Sequence, residues 1–376
     1  MIEYCHPLDR VCGLKYCLTK KYLNYQFKPS PENFIVEEEV DRSLLQLRSE
    51  RARYLVLLVN KKGVDTLYVA RELADKFNVS VGSIKFLGLK DRDSHSTQFF
   101  FINDSVIDID LKVGEVIAES NKYRVKVVGY TDFRPTQELL IGNKFKVLID
   151  DVSLLNEVRQ LLSELTSKGL PAYYGYQRFG TIRYNTHLLG KYLVRGDLSS
   201  FINELAFSIY PRESLESMSS RVEREFSLKS RLVYEAKLMR LVKRRDLSKA
   251  TKLLERRVKR LFIEAYLAFL YNNALNKYIS VHGLTSDGEI CVMGALCTNG
   301  VEYYEDVVAI ESLNIHELAK ALGSLGIRGW LRRVQMKLLE PKAYVEGGKL
   351  VVEFRLTKGM YASVVLRELF KHNYTP

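Results

Sequence analysis

The sequence predicts an α+β fold in which a mainly helical segment interrupts a sheet domain. Three observations carry this. Apolar and polar residues alternate with period two at 123–127 and 144–149, and 53–59 is a nearly continuous apolar run. From about 191 to 283 the text turns mainly helical and more basic. A strand, a turn and an amphipathic helix then return at 350–356, 358–359 and 361–371, as an interrupted domain would when it is completed.

Composition narrows the functional classes. The 376 residues are 47% hydrophobic, ample for a core and consistent with about two domains. Lysines and arginines outnumber acids 57 to 45, a formal charge of +12 that favours an anionic partner, nucleic acid first. No apolar run reaches the length of a membrane span, and the first residues lack a signal-peptide core. The five cysteines, at 5, 12, 17, 291 and 297, form no C-x-x-C pair. Their odd count and irregular spacing argue against a disulfide framework and for a reducing, cytoplasmic setting. No histidine pair is placed to complete a metal site.

Residues 1–25 carry no clear pattern. Lys28 precedes two prolines in extended, turn-like text, and a strand follows near Phe34 and Val36. The apolar run 53–59 ends in Asn60-Lys61-Lys62-Gly63. Asp65 or Thr66 then caps a helix with Val69, Ala70, Leu73, Ala74 and Phe77 on one face. Arg124, Lys126, Lys144 and Lys146 occupy the outward positions of two later strands. Ser153 is positioned to cap a helix that Gly169 closes. Lys243, Arg244, Arg245, Lys249, Lys252, Arg256, Arg257, Lys259 and Arg260 form the charged side of one long helix, either a solvated face or a face along a nucleic-acid backbone. Residues 285–300 read as loop and 316–325 as a short helix.

Two stretches hold the chemistry. In FLGLKDRDSHSTQFFF, residues 86–101, strands flank a polar loop in which Lys90 and Asp91 are adjacent. A carboxylate beside a cation suits a nucleophile kept ionised at neutral pH, while the same text also describes a solvated turn. In PAYYGYQRFGTIRYNTHLL, residues 171–189, aromatics crowd beside two arginines, the pairing that single-stranded RNA recognition uses for bases and phosphates. An aromatic mini-core is the alternative.

Together these stretches resemble the TruD family of tRNA pseudouridine synthases. The matches are Lys28 followed by PENFIVEE, the family's GxKDxxAxTxQ as residues 88–98, and its PNxFGxQRFG as PAYYGYQRFG. Gly142-Asn143-Lys144-Phe145 and the closing GMYASVVLREL agree, in family order, across residues 26–370. The resemblance implies a pseudouridine synthase fold: a mixed, mainly antiparallel central sheet flanked by helices, with an inserted, mainly helical TruD-type domain. It places the catalytic domain at 1–195 and 336–376 and the insert at 196–335. It implies isomerisation of a uridine in tRNA without cofactor, with position 13 of the D arm the usual target and position 35 of a tyrosine tRNA a second one. Asp91 aligns with the essential aspartate, whose carboxylate can stabilise the charge at C1′, attack it as a nucleophile, or take a proton from the sugar as a base. Lys28 aligns with a nearby lysine and is preferred over Lys90 as the cation beside it, because adjacent residues of an extended chain face opposite ways. Tyr174 takes a base-stacking position. Gln177, Arg178 and Phe179 shape the pocket wall, and Lys90 and Asn143 complete the substrate contacts.

The expected partner is folded tRNA alone, bound by a monomer or weak dimer, with no membrane and no obligatory protein partner. Two departures stand out. Ala172 replaces an asparagine, and a lost buried hydrogen bond to a charged group costs roughly 1.5–3 kcal/mol. Tyr174 replaces a phenylalanine. They leave a second reading, an inactive tRNA-binding relative that chaperones RNA. A metal-dependent nuclease would need acidic ligands around Asp91, which the text lacks.

Overall fold

The computed structural model describes residues 1–107, 109–181, 183–208, 254 and 256–376. Its centre is a nine-stranded sheet. In chain order the strands are β1 (Phe34–Val40), β2 (Tyr54–Lys62), β3 (Ile84–Phe86), β4 (His95–Asn103), β5 (Val116–Glu119), β6 (Tyr123–Thr131), β7 (Leu140–Ile149), β8 (Leu339–Glu346) and β9 (Lys349–Thr357). The order across the sheet is β8-β9-β7-β1-β4-β2-β6-β5, and β3 shares with β1 the remaining edge of β4. Only the β1–β4 pairing is parallel. The mixed, mainly antiparallel sheet is therefore as expected, and the two C-terminal strands are added beside β7.

Central strands are apolar on both faces because both are covered. In β2, Leu55, Leu57 and Val59 pack with Val69, Ala70 and Leu73 of helix α1 (Thr66–Lys76), while Val56 turns to a cluster with Phe101, Leu45 and Leu140. Asp65 caps α1 by accepting from the Tyr68 amide at 2.8 Å. Helix α2 (Leu155–Lys168) starts later than Ser153 suggested. Asp151 caps the short turn before it, accepting from both the amide and the hydroxyl of Ser153. An Asx-type cap outcompetes the serine, whose hydroxyl is used as a donor.

Beyond the sheet lie α3 (Thr186–Arg195), α4 (Leu198–Phe207) and the 27-residue α5 (Arg256–His282). Helices α3 and α5 approach closely at Gly190, where an added Cβ would lie 2.0 Å from the Phe262 carbonyl oxygen. Of the predicted basic run, Arg256, Lys259 and Arg260 lie on α5, whereas Lys243, Arg244, Arg245, Lys249 and Lys252 lie outside the described residues. Residues 285–300 are not all loop: Glu289–Val292 pairs antiparallel with Trp330–Arg333. The short helix near 316 is Ile315–Ser324, closed at its start by an Asn314–Glu317 capping box. The last helix, α6, is Ala362–Phe370.

The cysteine expectation is overturned. Cys5 is bonded to Cys17 and Cys291 to Cys297, leaving Cys12 as a buried thiol. Short strand pairings that spacing does not reveal bring the partners together: Ile2 lies opposite Cys17 in one, and Cys291 opposite Leu331 in the other. The cysteines therefore give no support for a reducing compartment. Near the first bridge, Arg367 of α6 grips Asp9 through Nε–Oδ1 at 2.7 Å and Nη2–Oδ2 at 2.8 Å, with both side chains fully buried. No helix among the described residues is long and apolar enough to cross a membrane.

Candidate active site

Three segments converge at one end of the sheet. The parallel pairing of β1 with β4 begins at Ile35 opposite His95, and Lys62 of β2 lies opposite the same His95. Residues 28–34, 61–63 and 88–95 therefore come together. The loop between β3 and β4 is tied down by its own small polar residues. Gln98 Nε2 donates to the Gly88 carbonyl at 3.2 Å, and Thr66 Oγ1 donates to Gln98 Oε1 at 2.8 Å while accepting from the Lys90 amide at 2.9 Å. Ser94 Oγ donates to the Asp91 carbonyl at 2.8 Å.

Lys90 and Asp91 face opposite ways, in keeping with their adjacency on an extended chain. Lys90 points inward, 2.9 Å from Glu38 Oε1, and donates to Asn143 Oδ1 at 2.6 Å. Asn143 is thus a brace for Lys90. Asp91 points outward and is solvent-exposed. Even so, the protein mass around its carboxylate displaces bulk water and raises its pKa; Lys61 lowers it, Asp93 raises it and Lys90 lowers it.

The cation expected at Lys28 gives way to another. Lys28 is exposed, its carbonyl accepts from Asn33 Nδ2, and its ammonium enters no ion pair among the described residues. Its place is taken by Lys61, fully buried at the end of β2, whose Nζ donates to the Asp91 carbonyl at 2.9 Å and the Val64 carbonyl at 2.8 Å. Burial lowers the Lys61 pKa to about 8, against the opposing charges of Asp91 and Asp65 and with a further lowering from Lys90. The sequence did contain a signal. In β2 the burial alternates over Val59, Asn60, Lys61 and Lys62, so Lys61 stands in the apolar phase of the strand.

The second stretch forms the opposite wall. Tyr174 is only 6% exposed, with Arg332 stacked 4.1 Å from its ring centroid and with edge-on contacts to Tyr271 and Tyr361. Most of its ring is therefore committed to protein contacts, closer to the mini-core alternative than to a free stacking platform. Its backbone is held by Asn272 of α5: Oδ1 accepts from the Tyr174 amide at 2.8 Å, and Nδ2 donates to the Tyr174 carbonyl at 3.0 Å. Arg332 donates from Nε to the Ala172 carbonyl at 3.0 Å and from Nη1 to Gly359 at 2.8 Å, clamping this loop to the turn before α6. Gly175 permits that contact, since a Cβ there would lie 2.0 Å from Ser363 Oγ.

The remaining predicted residues divide between cleft and scaffold. Arg178 pairs with Glu264 of α5 at 2.7 Å, and its Nε is buried without a hydrogen-bond partner among the described residues. Phe179 is fully buried, edge-on to His187 at 5.4 Å between centroids, and so faces the core. Gln177 lies against Tyr374, whose pKa is raised by burial, lowered by Gln177 and raised again by Asp91. Burial also raises the pKa of Tyr361, with Asp91 adding and Arg178 opposing. Both phenols thus stand within reach of the Asp91 charge and stay protonated near neutral pH. Sequence reasoning missed Tyr361 and Tyr374. The closing GMYASVVLREL carries the first; nothing local marks the second, or Asn272 and Arg332.

Known proteins resemble this chain over most of its length. Residues 12–297 match the family model for TruD, tRNA pseudouridine synthase D. A Pyrobaculum neutrophilum protein named probable tRNA pseudouridine synthase D is 29% identical over 99% of this chain and 98% of its own length. A Thermococcus onnurineus protein of the same name is 28% identical over 95% and 97%. The crystal structure of a Methanosarcina mazei protein assigned to TruD superposes with a TM-score of 0.65 at 23% identity, covering 98% of each chain, and shares the fold. The chain belongs to the TruD family of tRNA pseudouridine synthases, which are isomerases.

Proposed function

We propose that the chain converts a uridine of tRNA into pseudouridine, with position 13 of the D arm as the first-choice target and position 35 of a tyrosine tRNA as the alternative. The observation that carries this reading is the Asp91 loop, which presents an exposed carboxylate from a rigid, hydrogen-bonded turn. In the reaction the N1–C1′ bond breaks, uracil turns in the site, the C5–C1′ bond forms, and the C5 proton is lost as N1 gains one. Positive charge builds at C1′ as the first bond breaks, and the Asp91 carboxylate serves that centre. Lys61 fixes the backbone of Asp91 and favours its anion. Tyr361 and Tyr374, kept protonated, offer hydrogen-bond donors beside it. Lys28, exposed at the same end of the sheet, is free to meet a phosphate.

The domain limits 1–195 with 336–376, and 196–335, belong to this proposal. Asn272, Glu264 and Arg332 then reach out of the insert to hold residues 172–178. The insert is therefore a wall of the active site, and the amide absent at Ala172 is matched by the Asn272 amide on the adjoining backbone. The test is incubation with tRNA transcripts in the presence of chelator, followed by position-resolved mapping of pseudouridine. Product at position 13 is expected. No product on any tRNA of the source organism would overturn the proposal.

A further inference from the structure

A second concave surface lies beside the site, on the N-terminal segment and the residues that follow α6. It encloses about 520 Å³ and is lined in part by Tyr4, Arg10, Lys20, Tyr22, Lys371 and His372. Among the described residues no carboxylate lines it. Arg10 and Lys20 are exposed, and neither pairs with an acid among the described residues; Arg10 instead lies 4.1 Å over the Tyr4 ring. Tyr22 is 40% exposed and meets the exposed His372 edge-on at 4.9 Å. Exposed aromatic faces beside unpaired cations are what a nucleotide of single-stranded RNA requires: a surface for the base and charge for the phosphate.

The backbone supplies a second, independent observation. Two of the lining residues hold positive φ without being glycine: Tyr4 at 53° and Lys371 at 49°. For Lys371 the accompanying ψ is −126°, outside the left-handed helical region. Conformations of this kind are costly and gather where a site needs a particular geometry. Surrounding contacts hold both residues in place. Lys371 is tied to Glu368, and the Tyr4 amide donates to the Lys15 carbonyl.

The pocket also adjoins the Asp91 site. His372 is two residues from Tyr374, whose hydroxyl feels the Asp91 charge, and the His6 ring contacts the Tyr374 carbonyl at 2.9 Å. The short segment 372–374 thus links the lining of the pocket to the Asp91 site. We propose that the pocket binds a nucleotide of the RNA strand flanking the target uridine, its base against Tyr22 and His372 and its phosphate between Arg10 and Lys20. This rests on the reading of the chain as an enzyme acting on tRNA.

The test compares wild type with Arg10→Ala/Lys20→Ala and with Tyr22→Ala. It reads the Kd for a tRNA transcript across a salt series, alongside pseudouridine formation by wild type. The double variant is expected to bind about tenfold more weakly and to show a shallower dependence of log Kd on log salt, by roughly 0.7 for each phosphate that is no longer neutralised. Tyr22→Ala is expected to weaken binding by about fivefold or more. Charge-preserving Arg10→Lys/Lys20→Arg should restore the slope. Cross-linking of wild type to tRNA carrying 4-thiouridine should mark peptides containing Tyr4, Tyr22 or His372, and needs no variant to fold. Unchanged Kd and slope, or cross-links absent from these peptides, overturn the proposal while wild-type turnover persists. Equal binding of free uridine monophosphate, without competition by tRNA, would assign the pocket to a free nucleotide and also overturn it. Absence of pseudouridine with wild type strikes the parent reading instead.

Discussion

Replacing Lys61 with methionine removes an ammonium bonded to the Asp91 backbone while keeping the length of the side chain. Its effects on stability oppose one another. Burial lowers the Lys61 pKa from 10.5 to about 8. Holding it charged at neutral pH therefore costs about 3 kcal/mol of folding free energy, which the substitution returns. Against this, the Val64 and Asp91 carbonyls lose charge-assisted bonds, about 1.5–3 kcal/mol each. The net loss is about 0–3 kcal/mol, which a domain of this size tolerates. The sign in pH follows from the depressed folded pKa. Between about pH 8 and about pH 10.5 the unfolded chain holds more protons at this position, so its contribution to stability rises with pH in wild type. That rise should be missing from the variant. Activity should respond more sharply than stability. Lys61 exerts the largest charge effect favouring the Asp91 anion, so its loss should move the acid limb of kcat/KM alkaline by about one pH unit or more and lower kcat about 10- to 100-fold. Wild type should also lose activity as Lys61 deprotonates near pH 8, a limb absent from the variant. The assay is single-turnover pseudouridine formation across pH, paired with urea unfolding. A profile with both limbs unmoved and kcat within about twofold of wild type would refute the positioning role.

Other substitutions separate chemistry from scaffold. Asp91→Asn should abolish turnover while tRNA binds as tightly as to wild type or more so, because an anion leaves a site meant for a polyanion; filter binding with product mapping checks both. Tyr174→Ala should cost about 3–5 kcal/mol of stability, since it empties the packing against Tyr271, Tyr361 and Arg332, whereas Tyr174→Phe should leave urea unfolding near wild type, its hydroxyl making no hydrogen bond among the described residues. Reducing the Cys5–Cys17 bridge, which closes a loop with a separation of 12 residues, should remove about 3 kcal/mol; an unchanged Tm with and without reductant would contradict the bridge's contribution.

Local pattern made the sheet and the Asp91 loop legible. Alternation reports which face of a strand is buried, and β2, β6 and β7 fall close to where it placed them. The same rule, applied one turn further along β2, marks Lys61 as a lysine in an apolar phase. That position instead read as the start of a turn, because Asn60, Lys62 and Gly63 around it are polar or turn-forming. Tyr174 was misleading for the opposite reason. Sequence shows that aromatics and arginines are close together, and it does not show that Arg332, more than 150 residues away, already covers the ring. Asn272 and the two disulfides are equally non-local. A hydrogen bond from α5 to residue 174, or a short strand pairing between Glu289–Val292 and Trp330–Arg333, leaves no periodicity to detect.

The buried grip of Arg367 on Asp9, with His6 against the Tyr374 carbonyl, joins positions separated by 358 and 368 residues. Closing loops of that span is entropically late work in folding, after hairpins such as β8–β9 can form locally. Tyr374 is set beside the Asp91 site by this closure together with its pairing to Phe27, another long-range contact. Refolding followed by secondary structure should therefore run ahead of the recovery of turnover. A chain nicked within its first ten residues would keep most of its sheet and loosen one of the two ties on Tyr374, the other being Phe27.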